Sequence, residues 1–287
     1  MLVSVLNGFA IGFLLFIVAV GLSVVFGMMD VLNLAHGALF LGGAYLGAAF
    51  AGSWGGFLAA LGIAAVLGLA AGGLLSLMTE PLSRRSHLDQ ALLTLGVAFV
   101  ASELLIIAFG DDPLSVAAPP ALDGSVTVFG AVYPTYRLVL IGVGAVLALA
   151  VHLVVDRTRV GALVRATVAD REMVATIGVD NRLVKAAVFA VGSLLATTAG
   201  VLGGPVYGAR PGLDATVLIL ALVVVVIGGL GSVRGALVGA LIIGQVDTLG
   251  RVLLPELASF VLFAALALVL VLRPQGLFGG LTPAGTR

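Results

Sequence analysis

The sequence predicts an all-α polytopic membrane protein, with eight or nine transmembrane or re-entrant helices in one domain over residues 1–287. Two observations carry this. Apolar residues make up 61% of the chain and charged residues 10%, a balance that a soluble domain does not tolerate. The apolar runs are continuous rather than alternating, and they repeatedly supply the roughly 20 residues that cross a ~30 Å hydrocarbon core, so helices and not a barrel are implied. The 40 glycines suit helices that pack closely in lipid. With no cysteine, disulfides and thiolate chemistry are excluded. A formal net charge of zero argues against a nucleic-acid partner, which requires a basic excess.

In chain order the apolar segments fall at 6–28, 33–52, 57–79, 88–109, 137–155, 185–204, 215–230, 235–252 and 257–272. The first lacks a basic flank and a small-residue cleavage site and reads as a retained helix. Between the first two lie Asp30, Asn33 and His36, polar groups placed to cap the helix beginning near Asn33 at the cytoplasmic junction. The segments at 215–252 are joined by the glycine-rich stretch Ile227–Gly235, which points to one or both being broken or re-entrant. Residues 110–136 form a loop stiffened by Pro119 and Pro120, and 125–133 reads as two short strands turning near Gly130.

Basic residues set the orientation. Arg84 and Arg85 mark one cytoplasmic loop, and Arg157, Arg159, Arg165, Arg171, Arg182 and Lys185 a second over 156–185. The loop at 110–136 carries Asp111, Asp112 and Asp123 with no basic residue and faces outward. The C-terminus is then cytoplasmic and the N-terminus external. Within 156–185 a helix is expected from Gly161 to Ile177, ended by Gly178 in a left-handed cap, with Leu163, Thr167, Val174 and Ile177 on one face and Arg165 and Glu172 opposite. Asp170 interrupts that face. Such a helix either docks a separate cytoplasmic motor or lies solvated at the membrane surface.

No nucleotide-binding G-x-x-x-x-G-K-[ST] loop occurs, and no H-E-x-x-H or G-x-S-x-G. His36, His87 and His152 have no ligand-like spacing, so neither a metal nor another cofactor is expected in this chain, and it reads as no enzyme. Ionisable residues in or near the membrane are Asp30, His36, Glu103, His152, Asp247, Arg251 and Glu256. Asp247 and Arg251 are spaced i,i+4 with the acid first, the favourable order for a pair on one helix face. The pairs Gly8/Gly12, Gly43/Gly47, Gly68/Gly72 and Gly235/Gly239 have G-x-x-x-G spacing and predict tight helix contacts, within the subunit or with another. The stretch from His36 is echoed by that from Arg234, each after a polar or glycine-rich interruption. Paired interruptions mark a transporter's centre. They nominate Asn33, His36, Gly37, Gly42 and Gly43 with Gly228, Gly229 and Gly231 as pathway candidates, together with the intramembrane Glu103.

The runs GLSVVFGMMDVLNLAHGALFLGGAYLGA, RATVADREMVATIGVDNRLVKAAVFAVGSLLATTAGVLGG and VVVVIGGLGSVRGALVGALIIG, closed by LRPQGLFG, resemble the permeases of branched-chain amino-acid ABC importers over nearly the whole chain. The N-L-A-H-G form resembles the first of the two paired permeases. The resemblance implies the ABC-importer permease fold in a bacterial inner membrane, with a second homologous permease, two cytoplasmic ATPases that bind the ATP and an extracytoplasmic substrate-binding protein. The block from Arg165 to Val179 matches the family's coupling loop, which implies that Arg165, Asp170, Arg171, Glu172, Ile177 and Gly178 meet an ATPase. The expected cargo is a branched-chain amino acid; urea or a short amide, carried by related permeases, is the alternative, and an autonomous channel or ion-coupled carrier is disfavoured by the sparse intramembrane charge.

Overall fold

The computed structural model describes residues 1–29, 32–82, 85–176 and 178–279; Asp30, Arg84 and Ile177 lie outside the described residues, as do the side chains of Arg171 and Glu172. The helices are α1 (Leu2–Met29), α2 (His36–Ala49), α3 (Trp54–Thr79), α4 (His87–Phe109), α5 (Thr135–Arg157), α6 (Arg159–Ala169), α7 (Arg171–Thr176), α8 (Asn181–Tyr207), α9 (Leu213–Gly228), α10 (Val233–Leu253) and α11 (Ala258–Leu272). Six of them, α1, α3, α4, α5, α8 and α10, are long and apolar enough to cross a membrane. The 14 residues of α2, 16 of α9 and 15 of α11 extend only about 21–24 Å at 1.5 Å per residue, short of a ~30 Å core. The anticipated segments are thus all helical among the described residues, three of them truncated. Of the two joined by the glycine stretch, only α9 is short.

Side-chain caps explain where several helices begin. The Ser53, Ser86, Thr158 and Ser232 hydroxyls accept from the N–H groups of Gly56, Asp89, Gly161 and Gly235 at 3.0–3.2 Å, and the Asp180 carboxylate accepts from Arg182 N–H at 2.8 Å. Each satisfies an otherwise orphaned donor, worth about 1 kcal/mol. The single helix anticipated over 161–177 is instead two. Asp170 adopts extended backbone (φ −156°, ψ 100°) between α6 and α7, and its carboxylate accepts from Met173 N–H at 2.9 Å. An aspartate at that point competes with the helical backbone and restarts the helix as a cap.

The centre of the bundle is α1, apolar on all sides and buried on all sides from Leu14 to Val20. Around it pack α8, α9, α10 and α5, with α2 between α8 and α9. The four glycine pairs make these approaches, all within the subunit. Gly8 and Gly12 of α1 receive Gly244 of α10; Gly43 of α2 and Gly68 and Gly72 of α3 lie against the backbone of α8, with Gly47 beside Val201; Gly235 and Gly239 of α10 lie against α9. Bare glycine faces bring backbones close enough to gain dispersion contacts that lipid cannot offer.

The connections sort to two ends. At one, Arg182 and Lys185 reach Glu80 at 3.1 and 3.2 Å, and Leu277 and Phe278 N–H donate to the Ile227 and Gly228 carbonyls at 2.8 and 2.9 Å. This is the arginine-rich end. At the other, strands β1 (Ser125–Val128) and β2 (Ala131–Pro134) pair antiparallel, with Val128 opposite Ala131 across Phe129 and Gly130. Both turn residues have positive φ, 48° and 81°. That is the anticipated hairpin, and Leu114 bridges to Ala209 beside it.

Candidate functional site

The nominated residues fall into two groups, one inside the bundle and one at the arginine-rich end. Inside, α2 starts deep. His36 is fully buried, its Nε2 2.9 Å from the Val18 carbonyl. Val18 precedes the end of α1 at Met29 by eleven residues, so the start of α2 lies about 16 Å from that end rather than at the cytoplasmic junction anticipated from the charges. Residues 32–35 are not helical, and their backbone is held by Thr94 of α4.

Irregular backbone at this depth must be satisfied by protein. Asn33 Oδ1 accepts from Ala35 N–H at 3.2 Å, an Asx turn that places Asn33 two residues before Ala35, the N-cap of α2. Thr94 of α4, fully buried, accepts from Leu34 N–H and lies within bonding distance of the Leu32 carbonyl, both at 3.1 Å. Gly37 abuts the Asp214 carbonyl in the first turn of α9, and Gly43 abuts the Thr197 carbonyl of α8. The Asp214 carboxylate accepts from the Ser102 hydroxyl of α4 at 2.7 Å. Ser102 is seven residues from the end of α4, about 10 Å, so α9 also begins below the hairpin-end surface. Neither α2 nor α9 has a side-chain cap on its first turn.

At the arginine-rich end, α6 packs Leu163 and Val164 on a cluster that includes Val25, Val184 and Phe189. Thr167 and Val174 of the anticipated face are buried, and Arg165 opposite them is exposed. Gly178 is exposed with φ +86°. Asp156, the penultimate residue of α5, ties this region together: its carboxylate is 2.7 Å from Arg234 of α10, 3.0 Å from His152 and 3.6 Å from Arg165 of α6. Between α6 and the start of α10 opens a cleft of about 820 Å³ whose walls include Gly27, Asp156, Arg165, Gly231 and Arg234.

Of the pathway candidates, then, Asn33, His36 and Gly37 come together at the start of α2 with Gly43 two turns further along it, while Gly228, Gly229 and Gly231 gather at the arginine-rich end. There Gly228 lies against Gly235, Gly229 against Gly279 and Gly231 against Gly27. Gly42 is half-buried beside Leu105, and Glu103 is exposed on the outer face of α4. Of the coupling candidates, Arg165, Asp170 and Gly178 share one end; Ile177 and the side chains of Arg171 and Glu172 lie outside the described residues. The sequence reading missed Thr94, Ser102, Asp156 and Asp214. Asp214 and Asp156 sit at segment ends, where an acid looks solvent-exposed, and a lone hydroxyl in an apolar run carries no distinguishing signal. Asp247 and Arg251 form the anticipated pair, at 2.9–3.1 Å.

The sequence model of a family described as branched-chain amino acid transport system / permease component matches residues 4–271. Among curated proteins, the chain is 29% identical over 298 residues to the high-affinity branched-chain amino acid transport system permease protein BraD of Pseudomonas aeruginosa, covering 96% of this chain and 95% of that protein. It is 28% identical over 293 residues to the corresponding LivH proteins of Salmonella typhimurium and Escherichia coli K12, covering 95% of this chain and 94% of each. No solved structure is matched.

Proposed function

The chain belongs to the branched-chain amino acid transport permease family, and we propose that it is one membrane-spanning subunit of an ABC importer that moves branched-chain amino acids on ATP hydrolysed by separate subunits. The observation that carries this is the likeness to amino-acid permeases along almost the entire chain, in a sequence with no nucleotide-binding loop of its own. The arginine-rich end faces the cytoplasm of a bacterial cell with the C-terminus on that side, and the hairpin end faces an extracytoplasmic binding protein. A second, homologous permease completes the pathway. Two ATPases act on α6 and α7 through Arg165, Asp170, Arg171, Glu172, Ile177 and Gly178.

Mechanically, α6 is well placed for this task. It is joined to α5 by the single residue Thr158 and packed on α1 and α8 by Leu163 and Val164. A push on it is therefore delivered to three membrane helices at once. The pathway candidates at the start of α2 lie where α1, α2, α4, α8 and α9 converge, the place at which such a displacement changes packing between the truncated helices.

Two measurements test the reading. Proteoliposomes containing this chain with its neighbouring permease, ATPases and binding protein should take up L-leucine only with ATP, and uptake by this chain alone, driven by an ion gradient, would overturn it. Gly178→Val should lower that uptake about tenfold while the chain still inserts and folds, its melting temperature falling by no more than about ten degrees. Among the described residues nothing beyond its chain neighbours lies within 4 Å of where the new Cβ would stand, so the defect comes from the positive φ, which a β-branched residue resists by on the order of 1–3 kcal/mol. Undiminished substrate-stimulated ATP hydrolysis in Gly178→Val would remove α7 from the coupling role.

A further inference from the structure

A second intramembrane feature is unused by the reading above. Between α9, α10 and α11 a cleft of about 570 Å³ opens toward the hairpin end, with Thr216, Ile219, Leu220, Asp247, Arg251 and Phe263 among its walls. Its volume lies in the range where small molecules bind, and its walls are apolar apart from one acid, one base and one hydroxyl.

The charges are costly where they stand. Asp247 is six residues from the end of α10, about 9 Å along its axis. A charge at this depth in lipid costs several times what an i,i+4 pair returns to its helix. Helix stabilisation therefore does not account for the pair, and such residues face a pathway or a water-filled cavity rather than lipid.

Its geometry is asymmetric. Asp247 is at the floor, with its side chain 8% exposed, and Arg251 is at the mouth, 64% exposed. Arg251 spends Nε and one N–H of Nη2 on Asp247, while Nη1 has no acceptor among the described residues. The outer edge of the guanidinium is thus open to a carboxylate in the two-bond geometry that arginine favours. Asp247 Oδ2 accepts from Nε alone, at 3.1 Å, which leaves a lone pair for an ammonium group. The Thr216 hydroxyl donates to the Gly212 carbonyl at 3.0 Å and keeps its own acceptor capacity for the same ammonium.

Resting on the importer reading, we propose that Asp247 and Arg251 form a binding site for the zwitterionic head of an α-amino acid, with the ammonium on Asp247, the carboxylate on Arg251 and the side chain against Ile219, Leu220 and Phe263. No bond is made or broken. A neutral urea or amide can hydrogen-bond to both groups but forms no ion pair with either, so the pair favours a zwitterion over those cargoes. The same head-group chemistry occurs in phosphatidylethanolamine, and the test separates the two sources.

The full chain, in nanodiscs of phosphatidylglycerol alone, should bind tritiated L-leucine saturably. Leucinamide, which lacks the carboxylate, and 4-methylpentanoate, which lacks the ammonium, should compete at least tenfold more weakly than unlabelled leucine. Arg251→Gln and Asp247→Asn should each weaken leucine binding at least tenfold, with melting temperatures recorded to show that both variants fold; Arg251→Lys, which keeps the charge, should retain part of the affinity. Leucine binding unchanged in both neutralised variants, or absent from the wild-type chain, overturns the proposal. So does loss of co-purified phosphatidylethanolamine from the variants with leucine binding intact, which would assign the pair to a lipid. ATP-dependent leucine uptake by the assembled importer keeps the two readings apart: uptake equal in wild type and variants removes this site and leaves the importer, whereas no uptake by the wild type removes the importer itself.

Discussion

Gly43→Ala should destabilise the bundle by about 3 kcal/mol, whereas Gly42→Ala, one position earlier, should be neutral or stabilising by up to about 1 kcal/mol. The two residues share a helix and the same local sequence, so helix propensity favours alanine equally at both. They differ in what the new methyl meets. At Gly43 it runs into the Thr197 carbonyl and comes within 3.0 Å of the Gly200 Cα, both backbone atoms of α8 that no rotamer change removes. At Gly42 the nearest atom is a terminal methyl of Leu105, 3.9 Å away, which is ordinary contact. Separating α2 from α8 also disturbs the buried His36, whose ring lies between Val18 and the close approach of Gly21 to Gly192. Thermal unfolding of the two variants in detergent checks the difference, and equal melting temperatures would show that the α2–α8 approach is not tight.

Asp156→Lys should cut ATP-driven uptake at least tenfold with little change in melting temperature. Ion pairs as accessible as these contribute little to stability, so the loss should appear in coupling and not in folding. The substitution sets a third cation beside Arg165 and Arg234, and repulsion then opens the junction between α5, α6 and α10. Combining it with Arg234→Glu restores one opposite-charge contact between α5 and α10 and should recover a substantial part of the uptake. A double variant no better than the single one would mean that the junction does not transmit motion.

Most helices were legible because lipid leaves so few options. Long apolar runs have to be helices, and the runs at 137–155 and 185–204 fall inside α5 and α8. The hairpin at 125–134 was legible from its turn residues. Three things were not. Asp170 was read as a blemish on one amphipathic helix, because periodicity registers faces and says nothing of whether a side chain will bond its own backbone instead. The depth of His36 was misjudged because charge counts locate loops, while the path of residues 32–35 is fixed by Thr94, sixty positions away in sequence. Finally, spacing identified Gly43 and Gly47, or Gly68 and Gly72, as packing surfaces without naming what they pack against, since each partner is a backbone segment of α8 with no complementary signature.

The burial of α2 has a consequence for biosynthesis. This helix ends at Ala49 and its main support, α8, begins at Asn181, a separation of 181 minus 49, or 132 residues. At about 5–20 residues per second of translation, α2 waits roughly 7–26 seconds before that support exists. Throughout that interval the ribosome-attached chain holds a helix too short to span the bilayer, with His36 and Gly43 facing no α8. The contact of Gly8 and Gly12 with Gly244 closes later still, when α10 arrives. Consolidation of the N-terminal third therefore waits on the C-terminal half, and truncated or stalled chains leave α2 open to the proteases that clear unassembled membrane proteins.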